Sequence, residues 1–384
     1  MQFLYFIQQA LIWIITIYWI YQLIISVCSL ITLKEKPLIV NKNHKFLAII
    51  PAHNEEAVVG NLIESLQKQN YPKNKYDICV IADNCTDKTK EVAESYGVKI
   101  FERYEEDPAK RTKGDALRLF LNTLLADPNM DYDAFCVFDA DNIVDANFIS
   151  AMNKHLCQGE EVVQGYRDIK NPTDSWIASG YAIFYWTMNR FYHLARYNAG
   201  FSLKRIIQGK KLGWATDAIV YDEQPVKFKP SWSQRSRWTI GHIQCLQEYT
   251  KPLAKAASTN KTLMNFDGLL YMLGSIPMFV ITILLLVLNA ISYLFNGMTT
   301  PDFVMNIVRY VVPTFLLPIL TALIIMIIDK KPIKKMWKGL LMYPIFLGSW
   351  LLINFKCLFK RDTTWEKIEH VRNVKIEDKK ISQS

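Results

Sequence analysis

The chain has 384 residues, 51% of them hydrophobic and 13% aromatic, with 45 Lys and Arg against 36 Asp and Glu for a net charge of +9. That composition excludes a disordered or fibrous chain and allows two compact units. The positive balance does not point to nucleic acid, because Lys and Arg gather beside apolar stretches, where anionic lipid is the nearer partner.

Residues 1–33 carry no charge and are long enough to cross a bilayer core as a helix. Lacking a basic leader and a small-residue cleavage site, they read as a retained anchor rather than a signal peptide. Lys34, Lys36, Lys42 and Lys45 follow directly, which by the positive-inside rule places the next region, 46–228, in the cytoplasm. Within it, β-rich apolar runs alternate with amphipathic polar stretches. Strands are predicted over Phe46–Ile50, Asp77–Ile81, Lys99–Arg103, Ala134–Phe138 and Glu161–Tyr166. Helices are predicted over Glu55–Gln69, Lys88–Tyr96, Lys113–Leu125 and Ala146–Leu156. Such alternation implies an α/β domain with a mostly parallel sheet, whose ligands bind beyond the carboxyl ends of the strands.

The strand ends are acidic. The first runs into Pro51-Ala52-His53-Asn54-Glu55, the second into Asp83, and the fourth into Asp139-Ala140-Asp141. Two acids two residues apart project to one side of an extended chain. Asp139 and Asp141 therefore suit a Mg2+ or Mn2+ ion whose remaining positions are filled by a diphosphate. A polar turn after a buried strand uses the same residue types, but the alignment with two other polar strand ends favours the metal. Asp83 is placed to accept hydrogen bonds from a base or ribose. Glu55 either faces the same ligand or starts the helix that follows it. Lys113, at a predicted helix start, is either an anion contact or part of a solvated basic loop. No dinucleotide or P-loop glycine pattern is present. The seven cysteines show no C-x-x-C spacing and read as reduced packing residues.

Residues 229–262 contain Gln234-Arg235-Ser236-Arg237-Trp238, with Gln234, Arg237 and Trp238 on one helical face. Arginine offers a donor fork to phosphate and tryptophan a flat face to a sugar, although a basic, Trp-bearing helix also describes an interfacial one. A C-terminal membrane region, 268–355, follows, with spans over 268–295 and 306–328. The segment 339–355, interrupted by Pro344, is open between a kinked span, a re-entrant hairpin and an interfacial helix. The basic tail 356–384 and the Lys330, Lys331, Lys334 and Lys335 cluster are expected on the cytoplasmic side.

In this order, Pro51-Ala52-His53-Asn54-Glu55, Asp83, Lys113-Gly114, Asp139-Ala140-Asp141, Val220-Tyr221-Asp222-Glu223 and the Q-x-x-R-W segment resemble a family. It is that of the membrane-embedded, inverting family 2 glycosyltransferases of the cellulose, chitin, hyaluronan and poly-N-acetylglucosamine synthase type. The resemblance implies a Rossmann-like GT-A domain inserted between N-terminal and C-terminal transmembrane helices. It further implies a UDP-sugar donor held by Pro51, Ala52, Glu55, Asp83, Lys113 and Asp139, with Mg2+ or Mn2+ on Asp139 and Asp141. Gln234, Arg237 and Trp238 would act on a polysaccharide or glycolipid acceptor. The chain departs from the family in one place: the Gly-rich acceptor loop and the Thr-Glu-Asp general base are missing, as if deleted near 199–204. Thr216-Asp217 aligns with a later strand, so Asp217 is a poor substitute. A chain that binds donor but transfers sugar weakly, or not at all, is the expectation.

Overall fold

The computed structural model describes residues 2–31, 40–201, 212–259, 263–295 and 299–359. The flanking Lys34 and Lys36, residues 202–204 of the junction inferred at 199–204, and the tail beyond Phe359 lie outside the described residues. Two units separate along the chain, an α/β unit from 40–170 and 213–223 and a helical unit from 2–31, 171–201 and 224–359. The first helix, α1 (Gln2–Val27), belongs to the helical unit.

In the α/β unit, β1 (Phe46–Ala52), β2 (Tyr76–Asp83), β3 (Lys99–Arg103) and β4 (Ala134–Val137) form one parallel sheet in the order β3-β2-β1-β4. The crossovers are α2 (Val59–Gln67), α3 (Thr89–Ser95) and α4 (Lys113–Leu125). Alternate residues of β1 face opposite sides, and both sides are apolar. Phe46, Ala48 and Ile50 share a core with Val59, Leu62, Ile63 and Leu66, the apolar stripe of α2. Leu47 and Ile49 pack with Ala116 and Phe120 of α4. Thr112 caps α4, its hydroxyl oxygen accepting from the Asp115 amide at 3.1 Å.

Tight side-chain bonds close the loops at the carboxyl edge. Asn54 takes a positive φ of 58°, which asparagine tolerates. Its side-chain oxygen accepts from the amides of Thr86 at 2.7 Å and Asp87 at 3.3 Å, tying the loop after β1 to the loop after β2. Asp87 accepts from the Glu56 amide at 3.2 Å and the Thr89 amide at 3.0 Å. Asn54 and Asp87 thus shape the edge.

The remaining strands make a second sheet in the order β5-β7-β6, from β5 (Ile143–Val144), β6 (Val162–Ile169) and β7 (Leu212–Asp222), with α5 (Phe148–Cys157) between β5 and β6. The strand expected over 161–166 therefore does not join the parallel sheet. It shares a sheet with β7, which Gly165 admits: a Cβ there would lie 2.6 Å from the Ala218 carbonyl oxygen.

In the helical unit, α6 (Trp176–Thr187) runs through a π-helical stretch, Met188–Leu194, into α7 (Ala195–Asn198). Then come α8 (Phe228–Thr259), α9 (Leu263–Leu273), α10 (Ser275–Phe295), α11 (Thr300–Ile328) and α12 (Ile333–Phe359). The segment 339–355 lies inside the single helix α12, Pro344 included. Among the described residues, Phe3–Leu30 and Ile333–Phe359 are long and apolar enough to cross a membrane, and Val280–Phe295 and Phe315–Ile328 are shorter apolar stretches.

One ion pair ties three of these helices together. Arg196 of α7 donates through Nε to Asp267 of α9 at 3.0 and 3.1 Å, and both side chains are fully buried. From α1, Tyr21 donates to Asp267 at 2.7 Å, and Gln22 accepts from Arg196 at 3.0 Å. The Tyr192 and Tyr271 rings flank the guanidinium. Removing one partner strands a buried charge, whereas an apolar pair of similar volume does not. Asp267→Ala should therefore lower stability by about 3–5 kcal/mol, and the double change Arg196→Met with Asp267→Leu by much less. Unfolding of the detergent-solubilised protein measures both.

Candidate active site

Parallel pairing brings the carboxyl ends of β1, β2 and β4 to one edge of the sheet, with Ala52 paired to Ala82 and Ile49 to Val137. Pro51 and Ala52 close β1, and the Glu55 amide donates to Thr89 at 2.8 Å. Asp83 ends β2 and is nearly buried. It accepts from Arg103 Nη1 at 3.0 and 3.2 Å, while Arg103 Nη2 donates to the Lys110 carbonyl at 2.6 Å. The His53 ring nitrogen Nδ1 lies 2.6 Å from the Asp83 carbonyl oxygen.

Beyond β4 the chain turns sharply. The Asn142 amide donates to the Asp139 carbonyl at 2.9 Å, and the Asp139 amide donates back to the Asn142 side chain at 3.1 Å. This turn presents both acids to the end of β7. Carboxylate oxygens of Asp139, Asp141 and Asp222 all lie within 4.8 Å of one another. The Asn142 side chain donates to Asp222 and, at 3.2 Å, to Asp141. Asp222 is thus a member of the site, although no role was read for it in the sequence. The signal was present, since Ile219-Val220-Tyr221-Asp222 repeats the apolar run and terminal acid of Phe135 to Asp139.

Cations surround the group. Lys113, the first residue of α4, pairs with Asp139. Arg167 of β6 reaches Asp222 through Nε at 3.2 Å and Asp139 through Nη2 at 3.6 Å. Lys170, nearly buried just after β6, donates from its ammonium to the Asp141 carbonyl, and its amide donates to the Asp222 carbonyl at 2.7 Å. Arg167 and Lys170 were also missed, being basic residues in and after a strand with no motif around them.

These environments split the acids. Burial opposes ionisation of Asp139, but the Lys113 ammonium and then Arg167 outweigh it and hold its carboxyl below the usual range. Burial dominates at Asp222 and, with the Asp139 charge, pushes its carboxyl up against the pull of Arg167 and Lys170. Burial likewise lowers the Lys170 ammonium below the ordinary lysine value. Three carboxylates converging on one point are the donor set of a hard divalent cation, and the residues present fit a Mg2+ or Mn2+ ion.

Asp217 stands elsewhere on β7, exposed, paired at 3.0 Å with Lys154 of α5. Gln234, Arg237 and Trp238 belong to the helical unit, on α8. There Trp238 packs edge-on to Tyr181 at 5.8 Å and near Trp350 at 6.2 Å. Arg235, fully buried, donates to the Phe346 carbonyl at 3.0 Å and the Ser349 hydroxyl at 2.8 Å of α12.

Residues 47–213 match the family described as Glycosyl transferase family 2, and residues 197–328 match Glycosyl transferase family group 2. The chain is 23% identical over 417 residues to the probable glycosyltransferase YdaM of Bacillus subtilis (strain 168), covering 95% of this chain and 97% of that protein. It is 42% identical over 79 residues, 20% of each chain, to the 4,4'-diaponeurosporenoate glycosyltransferase of Staphylococcus aureus (strain USA300). Among solved structures, the mannosyltransferase PcManGT from Pyrobaculum calidifontis, in complex with GDP-Man and Mn2+, superposes with a TM-score of 0.53 at 13% identity, over 94% of this chain and 100% of that one. At that identity the likeness is one of fold. The sheet edge, its carboxylates and these matches together mean that the chain carries glycosyltransferase family 2 domains on a GT-A fold and is a glycosyltransferase.

Proposed function

We propose that the protein binds a UDP-sugar, with Mg2+ or Mn2+, at the strand-end carboxylates and transfers the sugar with inversion to a growing polysaccharide at a membrane. The observation that carries this reading is the convergence of Asp139, Asp141 and Asp222 within 4.8 Å beside Lys113 at the start of α4. Asp139, Asp141 and Asp222 would hold the cation, which when bound neutralises the charge of a leaving diphosphate. Lys113, together with the positive end of the α4 helix dipole, supplies positive charge for phosphate oxygens. Asp83, kept in place by Arg103, turns its remaining acceptor sites toward a base or ribose. Pro51, Ala52 and Glu55 would form the floor of the donor site. Gln234, Arg237 and Trp238 would meet the acceptor.

The membrane setting rests on α1 and α12, and on large side chains such as Phe3, Trp13 and Trp19 that α1 leaves exposed. The lysines after the first and third spans favour a multi-pass protein with its α/β unit in the cytoplasm. The shortened middle is part of the proposal. The alignment with the Bacillus subtilis relative runs over 417 residues, longer than this chain of 384, so the relative has segments with no counterpart here. A missing base would slow transfer by roughly a hundredfold to ten-thousandfold while leaving donor binding intact. A protein that only binds nucleotide-sugar, or partners a synthase, is the limit of that effect. Transfer of a single sugar to a discrete acceptor is a second reading, favoured by the match to an enzyme named for 4,4'-diaponeurosporenoate.

Two measurements test the proposal. UDP binding to the purified full chain, followed by calorimetry, should require Mn2+ or Mg2+ and weaken by at least about a hundredfold in Asp141→Ala; metal-independent binding would refute the site. With labelled UDP-sugars, incorporation should be slow and lost in Asp141→Ala, and Trp238→Ala should reduce incorporation while retaining UDP binding. A labelled lipid-extractable monoglycoside instead of polymer would favour the second reading, and rapid polymer synthesis would remove the role given to the missing base.

A further inference from the structure

We propose that Arg167 is the resident counter-ion of the three-carboxylate group and the ligand of the donor diphosphate. In that role it opposes binding of a bare divalent cation and favours the same cation when it arrives with a nucleoside diphosphate. This inference rests on the donor reading above. Its basis is the position of one guanidinium across two of the three acids, with Nε 3.2 Å from Asp222 and Nη2 3.6 Å from Asp139. Those are carboxylates that a cation at this point would use. Arginine keeps its charge at any working pH, so a dication drawn to the group meets a fixed positive charge on its own ligands. Lys113 touches Asp139 from the end of a flexible stem, whereas Arg167 spans both acids from a strand.

A diphosphate reverses the balance. Its oxygens offer the guanidinium fork charge-assisted bonds at least as good as those it leaves, and the 3.6 Å contact to Asp139 is long enough to yield at little cost. The Arg167 side chain is about as exposed as that of Asp139, at 38% and 44%, so an entering phosphate can reach it. Departure of Arg167 removes one of the two cations that compete with the metal for Asp139, Lys113 being the other, and releases Asp222 from the guanidinium. Metal and diphosphate then each raise the other's affinity by one and the same factor.

The test uses the full chain in detergent, with Mn2+ alone followed by the resonance of free Mn2+, and UDP in saturating Mn2+ followed by calorimetry. Arg167→Gln should bind Mn2+ alone several-fold more tightly than the wild type. It should bind UDP with Mn2+ about tenfold to a hundredfold more weakly, the size of a lost charge-assisted hydrogen bond. GDP in place of UDP should give the same signs, because the diphosphate is the shared group. Both affinities falling together would show mere structural support and overturn the proposal, as would no change in either. Should Arg167→Gln fail to fold in a thermal melt, Arg167→Lys decides. A lysine keeps the charge without the fork, so Mn2+ affinity should stay near wild type while UDP affinity falls; wild-type UDP affinity in this variant overturns the proposal. A wild type that binds no UDP in Mn2+ overturns the donor reading itself, whereas a wild type that binds while its variants fail to split overturns only the role of Arg167.

Discussion

Parallel pairing of β1 with β2 on one side and β4 on the other is the constraint on which the site depends. Strands that run the same way end at the same edge, so the loops after Ala52, Asp83 and Val137 meet there whatever their sequence separation. The pairing is enforced by burial on both faces of β1, where Leu47 and Ile49 face α4 and Ala48 and Ile50 face α2. A one-residue slip would exchange those faces, so register and site position are specified together. Asn54 then locks the edge by bonding the two neighbouring loops to each other.

At that edge, electrostatics differentiates residues of one chemical type. Asp83 is consumed largely by Arg103, Asp139 is held ionised by Lys113 and Arg167, and Asp222 is driven the other way by burial. Asp83 and Asp222 end strands and Asp139 and Asp141 closely follow one, yet Asp83 stays apart while Asp139, Asp141 and Asp222 converge on a common point. Like charges this close would repel if uncompensated, which is why basic residues from α4, from β6 and just after β6 surround them. An arrangement of this kind is poised rather than inert, because each cation that now sits on a carboxylate is also a donor for phosphate.

The helical unit solves a different problem, that of holding apolar helices in a fixed relation where apolar contact alone is not selective. Polar anchors in dry surroundings provide the selectivity. Arg196 and Asp267 join α7 to α9 and recruit α1 through Tyr21 and Gln22. Arg235 joins α8 to the carbonyl of Phe346 and the hydroxyl of Ser349. Small residues permit the close approach, as at Gly180, where a Cβ would lie 2.8 Å from the Phe346 ring, and Gly339, where it would lie 2.1 Å from Ser179. Trp238 sits within this packing, seven residues after Ser231, whose hydroxyl lies 3.0 Å from that of Tyr181, and the next two residues, Thr239 and Ile240, are buried.

The sequence by itself determined the alternation of strands and helices up to about residue 170, the acidic strand ends and the apolar helices, because each follows from local periodicity or residue chemistry. Predicted and observed bounds agree for β3 and α4, whose ends are marked by charged or capping residues. Only the tertiary structure decided that β6 shares a sheet with β7, since strand partners are chosen by long-range packing, here at Gly165 against Ala218. That choice in turn brought Asp222, Arg167 and Lys170 to Asp139 and Asp141. Their chemistry is ordinary one residue at a time. It becomes a site through distances that are set across two sheets and some eighty positions of chain, which no local pattern encodes.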